Sequence, residues 1–323
     1  MNHRSFTCIF TYSLALWMWS ITARRSFVSS FVTTARANIN SNTKSLFRPF
    51  TTSPFAMSSA AKDTSTATPL EDGVDIPRNL EEVRSRVESS CKDAGRSVDT
   101  VRLVAVSKTK PLSYIKEAYY SSGQTIFGEN YAQELEEKAK EMGSDENYKN
   151  DIQWHFIGGL QSNKAAKLVK NVVPFGKLVV ETVNSEKVAN KLDNAMANNF
   201  PPAGDDEAAI LRLDVFVQVN TSGEDSKSGV SIDEAIVLCK HVVENCSRLN
   251  LRGVMTIGAP GDVDCLENLG NCRDLVAEAL SRDPGDVELS MGMSGDFETA
   301  IAKGSTNVRV GSTIFGQRNY SNK

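Results

Sequence analysis

Histidine is scarce in this chain: His3, His155 and His241 are the only three in 323 residues. The six cysteines, Cys8, Cys91, Cys239, Cys246, Cys265 and Cys272, form no CxxC pair and no Cys/His cluster with metal-ligand spacing. These shortages argue against a zinc site and against a disulfide framework, so the thiols read as reduced core or surface groups. No GxGxxG follows the first strand-like run, which weakens a dinucleotide-binding open sheet. Acidic residues are missing altogether from the first 62 positions, which instead carry Arg4, Arg24, Arg25, Arg36, Lys44, Arg48 and Lys62 among many Ser, Thr and Ala.

An acid-free, basic, hydroxyl-rich start is the signature of a targeting segment, and residues 1–62 are set apart from the fold on that ground. "FTCIFTYSLALWMWSITA" (Phe6 to Ala23) is apolar enough for a signal core, but its Ser, Thr and Tyr residues argue against a stable membrane span. The stretch up to "RPFTTSPFAMSSA" looks like a mitochondrial or plastid transit peptide, a bipartite plastid address and a disordered tail being the alternatives. Met57 offers the start of a shorter cytoplasmic form. Without these residues 29 basic groups face 40 acidic ones, a net charge near −11. So acidic a body lacks the basic footprint that nucleic-acid phosphates need.

Beyond a linker over residues 63–78, strand-like and helix-like segments alternate. "NLEEVRSRVESSCKDAG" (Asn79 to Gly95) places Leu80, Val83, Val87 and Cys91 at helical spacing. Eight β-rich runs then follow, from "VRLVAVSK" to "NVRVGSTIFG", with helices of roughly ten to twenty residues between them. Several runs are almost continuously apolar, as parallel strands covered on both faces are. Eight such repeats over about 240 residues predict a single (β/α)8 TIM barrel with an extra N-terminal helix, occupying 79–318 and followed by a short tail, 319–323. A doubly wound open sheet is the alternative. "MGSDENYKND" and "FPPAGDDEAA" read as polar, mobile insertions.

Chemistry in such a barrel gathers at the C-terminal ends of its strands. "RLVAVSKTKP" puts Lys108 at the end of the first strand, where partial desolvation would disfavour the ammonium form and free the amine lone pair. Such an amine can condense with an aldehyde. Position alone leaves an ordinary surface lysine as the other reading. Lys110, two residues on, is expected in solvent. "SMGMSGD" and "RVGST" place Ser294, Gly295, Gly311 and Ser312 after strands seven and eight, where barrels often bind phosphate. Small residues let backbone N–H groups approach an anion, and "DFETAIAKG" would set a helix N-terminus behind it. A lysine aldehyde site with a phosphate cup across the opening suggests pyridoxal 5′-phosphate.

Taken in order, "RLVAVSKTKP", "FGENYAQEL", "HFIGGLQSNK", "VNTSGEDSKSG", "LSMGMSGDFETAI" and "GSTNVRVGSTIFG" resemble the pyridoxal phosphate homeostasis protein family. Its members are similar to the barrel domain of alanine racemase standing alone. The resemblance implies a Schiff-base role for Lys108, phosphate contacts from Ser294, Gly295, Gly311 and Ser312, and a polar contact from Asn130. It also implies that Arg309 faces the pyridine nitrogen. A guanidinium can donate there but cannot protonate the ring, which leaves a weak electron sink. His155 reads either as a hydrogen-bonded core residue or as a cofactor contact, and Asn220 as an ordinary loop residue or a ring-facing one.

The resemblance implies a non-catalytic carrier that holds the cofactor, maintains vitamin B6 homeostasis and hands the aldehyde to apo-enzymes. The competing expectation is a racemase of the alanine racemase type. Racemisation needs a base on each face of the substrate, and Lys108 serves only one. The alanine racemases take the other from a second domain, which is not expected from the few residues after strand eight; Tyr320 is the tyrosine of the tail. A monomer is expected.

Overall fold

The computed structural model describes residues 73–202, 210–223, 228–258 and 261–317. The basic extension, most of the linker, the tail and much of the second insertion lie outside the described residues.

The first helix among the described residues, α1 (Ile76–Asp93), starts three residues before the apolar spacing suggests. The Asp75 side chain accepts from Arg78 N, and Pro77 occupies the first turn, where its missing N–H costs nothing. Ile76, Leu80, Val83, Val87 and Cys91 form its buried stripe. Strands β1 (Arg102–Val106), β2 (Ile126–Glu129), β3 (Gln153–Phe156), β4 (Lys177–Val183), β5 (Leu213–Gln218), β6 (Leu249–Met255), β7 (Glu288–Met293) and β8 (Asn307–Val310) follow. They pair in sequence order, all parallel, and β1 closes on β8 with Val104 opposite Arg309. Helices α2 (Leu112–Ser122), α3 (Ala132–Met142), α4 (Ala165–Val172), α5 (Glu186–Asn199), α6 (Ile232–Asn245), α7 (Val263–Ala279), α8 (Phe297–Ala302) and α9 (Ser312–Phe315) each follow one strand. The expected (β/α)8 barrel is therefore present, with one additional helix before it among the described residues.

Period-two alternation sorts the strand residues. Trp154, Phe156, Leu178 and Val180 join the large core between sheet and helices, so His155, Val179 and Glu181 face the barrel interior. Val179, Phe216 and Met255 pack there as a small apolar layer. Near the N-terminal ends of the strands a charged layer fills the floor. Asp214 Oδ2 lies 2.7 Å from Lys177 Nζ and 3.0 Å from Arg252 Nη1, and Glu288 pairs with both Arg252 and Arg102. The loop read as a mobile insertion after α3 is pinned instead. Tyr119 OH donates to Asp151 Oδ1 at 2.6 Å, Tyr148 OH to Phe175 O at 2.7 Å, and Lys116 pairs with Asp145. Cys91, Cys239, Cys246, Cys265 and Cys272 are free and buried. Among the described residues no helix is long and apolar enough to cross a membrane.

Candidate functional site at the strand mouths

Lys108 does not end β1 but lies two residues past it. Ser107 N continues the ladder by donating to Gly128 O (3.0 Å), after which Thr109 turns the chain at φ 63°. A β-branched residue there is strained, a cost on the order of 1–3 kcal/mol that surrounding contacts must offset. Glu134 Oε1 accepts from Thr109 N at 2.7 Å, and Lys110 N donates to Ser107 O at 3.1 Å. The turn carries Lys108, half-buried, into a cavity of about 280 Å3. Lys110 is buried and lines the same cavity. Its Nζ donates to Gln317 O (2.9 Å) and lies 5.3 Å from the Tyr114 ring centroid, a cation held by a carbonyl and an aromatic face.

The other six residues singled out in the sequence, Asn130, Ser294, Gly295, Arg309, Gly311 and Ser312, line that cavity too. Asn130 is placed by Gly158: a Cβ at that position would lie 1.9 Å from Asn130 O, so only glycine lets the β3 exit pass. Asn130 Oδ1 is buried without a hydrogen-bond partner among the described residues. The exits of β7 and β8 are tied where Gly311 N donates to Ser294 Oγ at 3.1 Å. Asp296 accepts from Met293 N at 2.6 Å, which fixes the turn before α8, and Ser312 opens α9. The result is a small-residue cup with hydroxyl and N–H donors on one side of the opening.

Beneath the cavity Arg309 is fixed from two sides. Its Nη1 donates to Ser290 Oγ (2.6 Å) and its Nη2 to Thr256 O (2.7 Å). Ser290 Oγ donates in turn to Glu181 Oε2 at 2.5 Å, and His155 Nδ1 pairs with Glu181 Oε1. Burial alone would raise the Glu181 carboxyl, but the His155 contact and the Arg309 charge bring it below its ordinary value. His155 is thus a hydrogen-bonded core residue behind the site and does not line the cavity; its Nε2 is buried without a partner among the described residues. Asn220 stands apart, in a separate cavity of about 150 Å3 shared with Thr221, Ser222 and Thr256.

A family model described as "Alanine racemase, N-terminal domain" matches residues 79–319. The pyridoxal phosphate homeostasis protein of Caenorhabditis elegans is 45% identical over 236 residues, covering 71% of this chain and 91% of that protein. The human protein of that name is 42% identical over 257 residues, covering 76% and 87%, and that of Haemophilus influenzae 40% identical over 253, covering 77% and 98%. The chain belongs to the pyridoxal phosphate homeostasis protein family. Among solved structures, PipY of Synechococcus elongatus, determined with PLP bound, is 30% identical with a TM-score of 0.57, covering 75% of this chain and 100% of that one. A D-threonine aldolase from Filomicrobium marinum, 16% identical with a TM-score of 0.53, covers 74% of this chain and 59% of its own and shares the fold alone.

Three features of this family member escaped the sequence reading. Lys110 is buried because Gln317, some two hundred positions away, closes over it. A buried cluster of Ser107, Glu129 and Lys138, joined by the partly exposed Glu134, sits against the Lys108 turn. Glu181 and Ser290 stand behind Arg309. Glu129 in "IFGEN" and Glu181 in "VVETV" are acids inside apolar strand runs, the same kind of sequence signal as the lysine of "VAVSK".

Proposed function

We propose that this chain binds pyridoxal 5′-phosphate at the strand mouths and serves vitamin B6 homeostasis as a non-catalytic holder, with Lys108 bonded covalently to the cofactor. One observation carries the reading: a single cavity gathers the Lys108 amine, the Arg309 guanidinium and the Ser294, Gly295, Gly311 and Ser312 cup. The residues fit the group. An amine suits the aldehyde, hydroxyl and N–H donors suit the phosphate, and a fixed guanidinium suits the ring nitrogen. Asn130 Oδ1 supplies an acceptor for a donor on the ligand. When bound, the cofactor supplies an aldehyde that condenses reversibly with amines.

The residues around the cavity hold and orient, and this supports the carrier. Arg309 donates to Ser290 and Thr256. Burial lowers its pKa while the Glu181 and Asp296 charges oppose that shift, and as a guanidinium it donates hydrogen bonds without giving up its proton, so it does not charge the ring. Racemisation needs a base on each face. Of the two lysines that line the cavity, Lys110 already donates to Gln317 O. A reversible link at Lys108 lets another amine displace it, which is how the cofactor would pass to apo-enzymes. The basic, acid-free extension supports an organellar address, with a cytoplasmic form starting at Met57.

Purified protein supplied with pyridoxal phosphate is expected to show the visible absorption of a lysine-bound aldehyde, shifted by borohydride and lost in Lys108→Ala. The full visible band in Lys108→Ala would remove the lysine assignment. Turnover of an amino-acid panel above that of free cofactor would replace the holder with the racemase-type enzyme. Imaging full-length and Met57-start fusions tests the address.

A further inference from the structure

We propose that Glu134, held in place by Lys138, is a positioning residue that keeps the Lys108 turn in the shape that captures an aldehyde. This rests on the cavity being a pyridoxal phosphate site. Glu134 and Lys138 lie one helical turn apart on α3, so their side chains share a face. That face meets the turn on both sides of Lys108. Ahead of it, Lys138 Nζ donates to Ser107 O at 2.9 Å, and Ser107 Oγ donates to Glu129 Oε1 at 2.7 Å. Behind it, Thr109 N donates to Glu134 Oε1 at 2.7 Å. Lys138 completes the clamp by donating to Glu129 Oε1 at 2.7 Å and Glu134 Oε1 at 2.6 Å.

The clamp is built where the backbone needs one. Thr109 sits at φ 63°, a conformation a β-branched residue does not keep without support, and the Glu134 oxygen binds that residue's N–H. Neither Glu129, Glu134 nor Lys138 lines the cavity, so their influence on a ligand passes through the turn. Capture forms a C=N bond between Lys108 Nζ and the aldehyde carbon, and the aldehyde oxygen leaves as water. Placement of the amine governs how favourable that step is, because the effective concentration of a tethered group depends on its geometry, and a displaced amine must be strained back into reach before the bond can form. A ligand carrying an alcohol in place of the aldehyde uses the cup and Arg309 but makes no such bond.

Glu134→Ala is the direct variant, since the Glu134 side chain is 24% exposed and its loss leaves the Lys138–Glu129 pair intact. Binding of pyridoxal 5′-phosphate and of pyridoxine 5′-phosphate, its alcohol counterpart, is measured by titration calorimetry on the full chain. Borohydride-trapped label is counted by mass spectrometry. Glu134→Ala is expected to bind the aldehyde at least tenfold more weakly and the alcohol within twofold of wild type. Glu134→Gln, which keeps the acceptor oxygen, is expected to restore the aldehyde to within threefold. Equal loss for both ligands, or undiminished aldehyde capture in Glu134→Ala beside a wild type that captures it, overturns the positioning role alone. A wild type that binds neither ligand overturns the reading of the cavity, and this proposal with it.

Discussion

Arg309→Met tests the buried charge chain under the site. Arg309 and Glu181 are both buried, with Arg309 Nη1 3.9 Å from Glu181 Oε2 and Ser290 bridging them. Methionine has the length to fill the space but no donors. Its introduction strands Thr256 O and leaves Glu181 without its nearby guanidinium charge. Breaking a buried pair from one side costs about 3–5 kcal/mol. At about 2–4 °C per kcal/mol for a domain of 150–250 residues, the melting temperature should fall by roughly 6–20 °C. Adding Glu181→Gln removes the uncompensated carboxylate, and about 1–3 kcal/mol of coupling should return. Scanning calorimetry of ligand-free wild type, both single variants and the double variant closes the cycle. A cost below about 1 kcal/mol for Arg309→Met, or strictly additive losses in the double variant, would refute the reasoning.

Gly158→Ala forces a Cβ against Asn130 O, 1.9 Å away, so stability should fall by about 1–3 kcal/mol with weaker pyridoxal phosphate binding, read by melting and titration. The floor of the barrel should fail in acid. Burial would raise Asp214 and Glu288, but Lys177, Asn250 and Arg252 around the first and Arg102, Asn307 and Arg252 around the second bring both below their ordinary values of 3.8 and 4.5. Below those values the unfolded chain takes up the protons first, so their stabilisation, complete above about pH 5, is lost as pH falls; Glu288→Gln should flatten that acid limb in pH-dependent urea melts. Glu129 acts in the opposite sense. Burial, against the opposing charge of Lys138, pushes it up to about 7 from 4.5, so the folded chain holds the proton longer. Stability should therefore decline as pH rises between those values, and Glu129→Gln should remove the decline.

The barrel was legible because parallel strands covered on both faces leave near-continuous apolar runs, and the helices between them keep their spacing. The cup was legible because Ser294, Gly295, Gly311 and Ser312 follow the last two strands, where the topology alone brings them together. The strand end before Lys108 was not, since nothing in the letter Thr109 announces a positive φ; the local contact that sustains it comes from α3. Nor was the burial of Lys110, which depends on Gln317 and Tyr114 meeting it from distant positions. His155 could be read two ways because an imidazole in an apolar strand needs a partner, and Glu181 becomes that partner only through the pairing of β3 with β4. The start of α1, in contrast, was open to reading: "DIPRN" carries its cap and its first-turn proline.

The central claim is that Lys108 holds the cofactor. Full-length protein loaded with pyridoxal 5′-phosphate, reduced with borohydride, digested and mapped by mass spectrometry tests it most directly. Lys108 and Lys110 line the same cavity and are separated by one residue, so fragmentation must resolve the two. The account predicts a phosphopyridoxyl group on Lys108 at near-stoichiometric yield and none on Lys110. A label on Lys110, or one scattered over surface lysines, would contradict it.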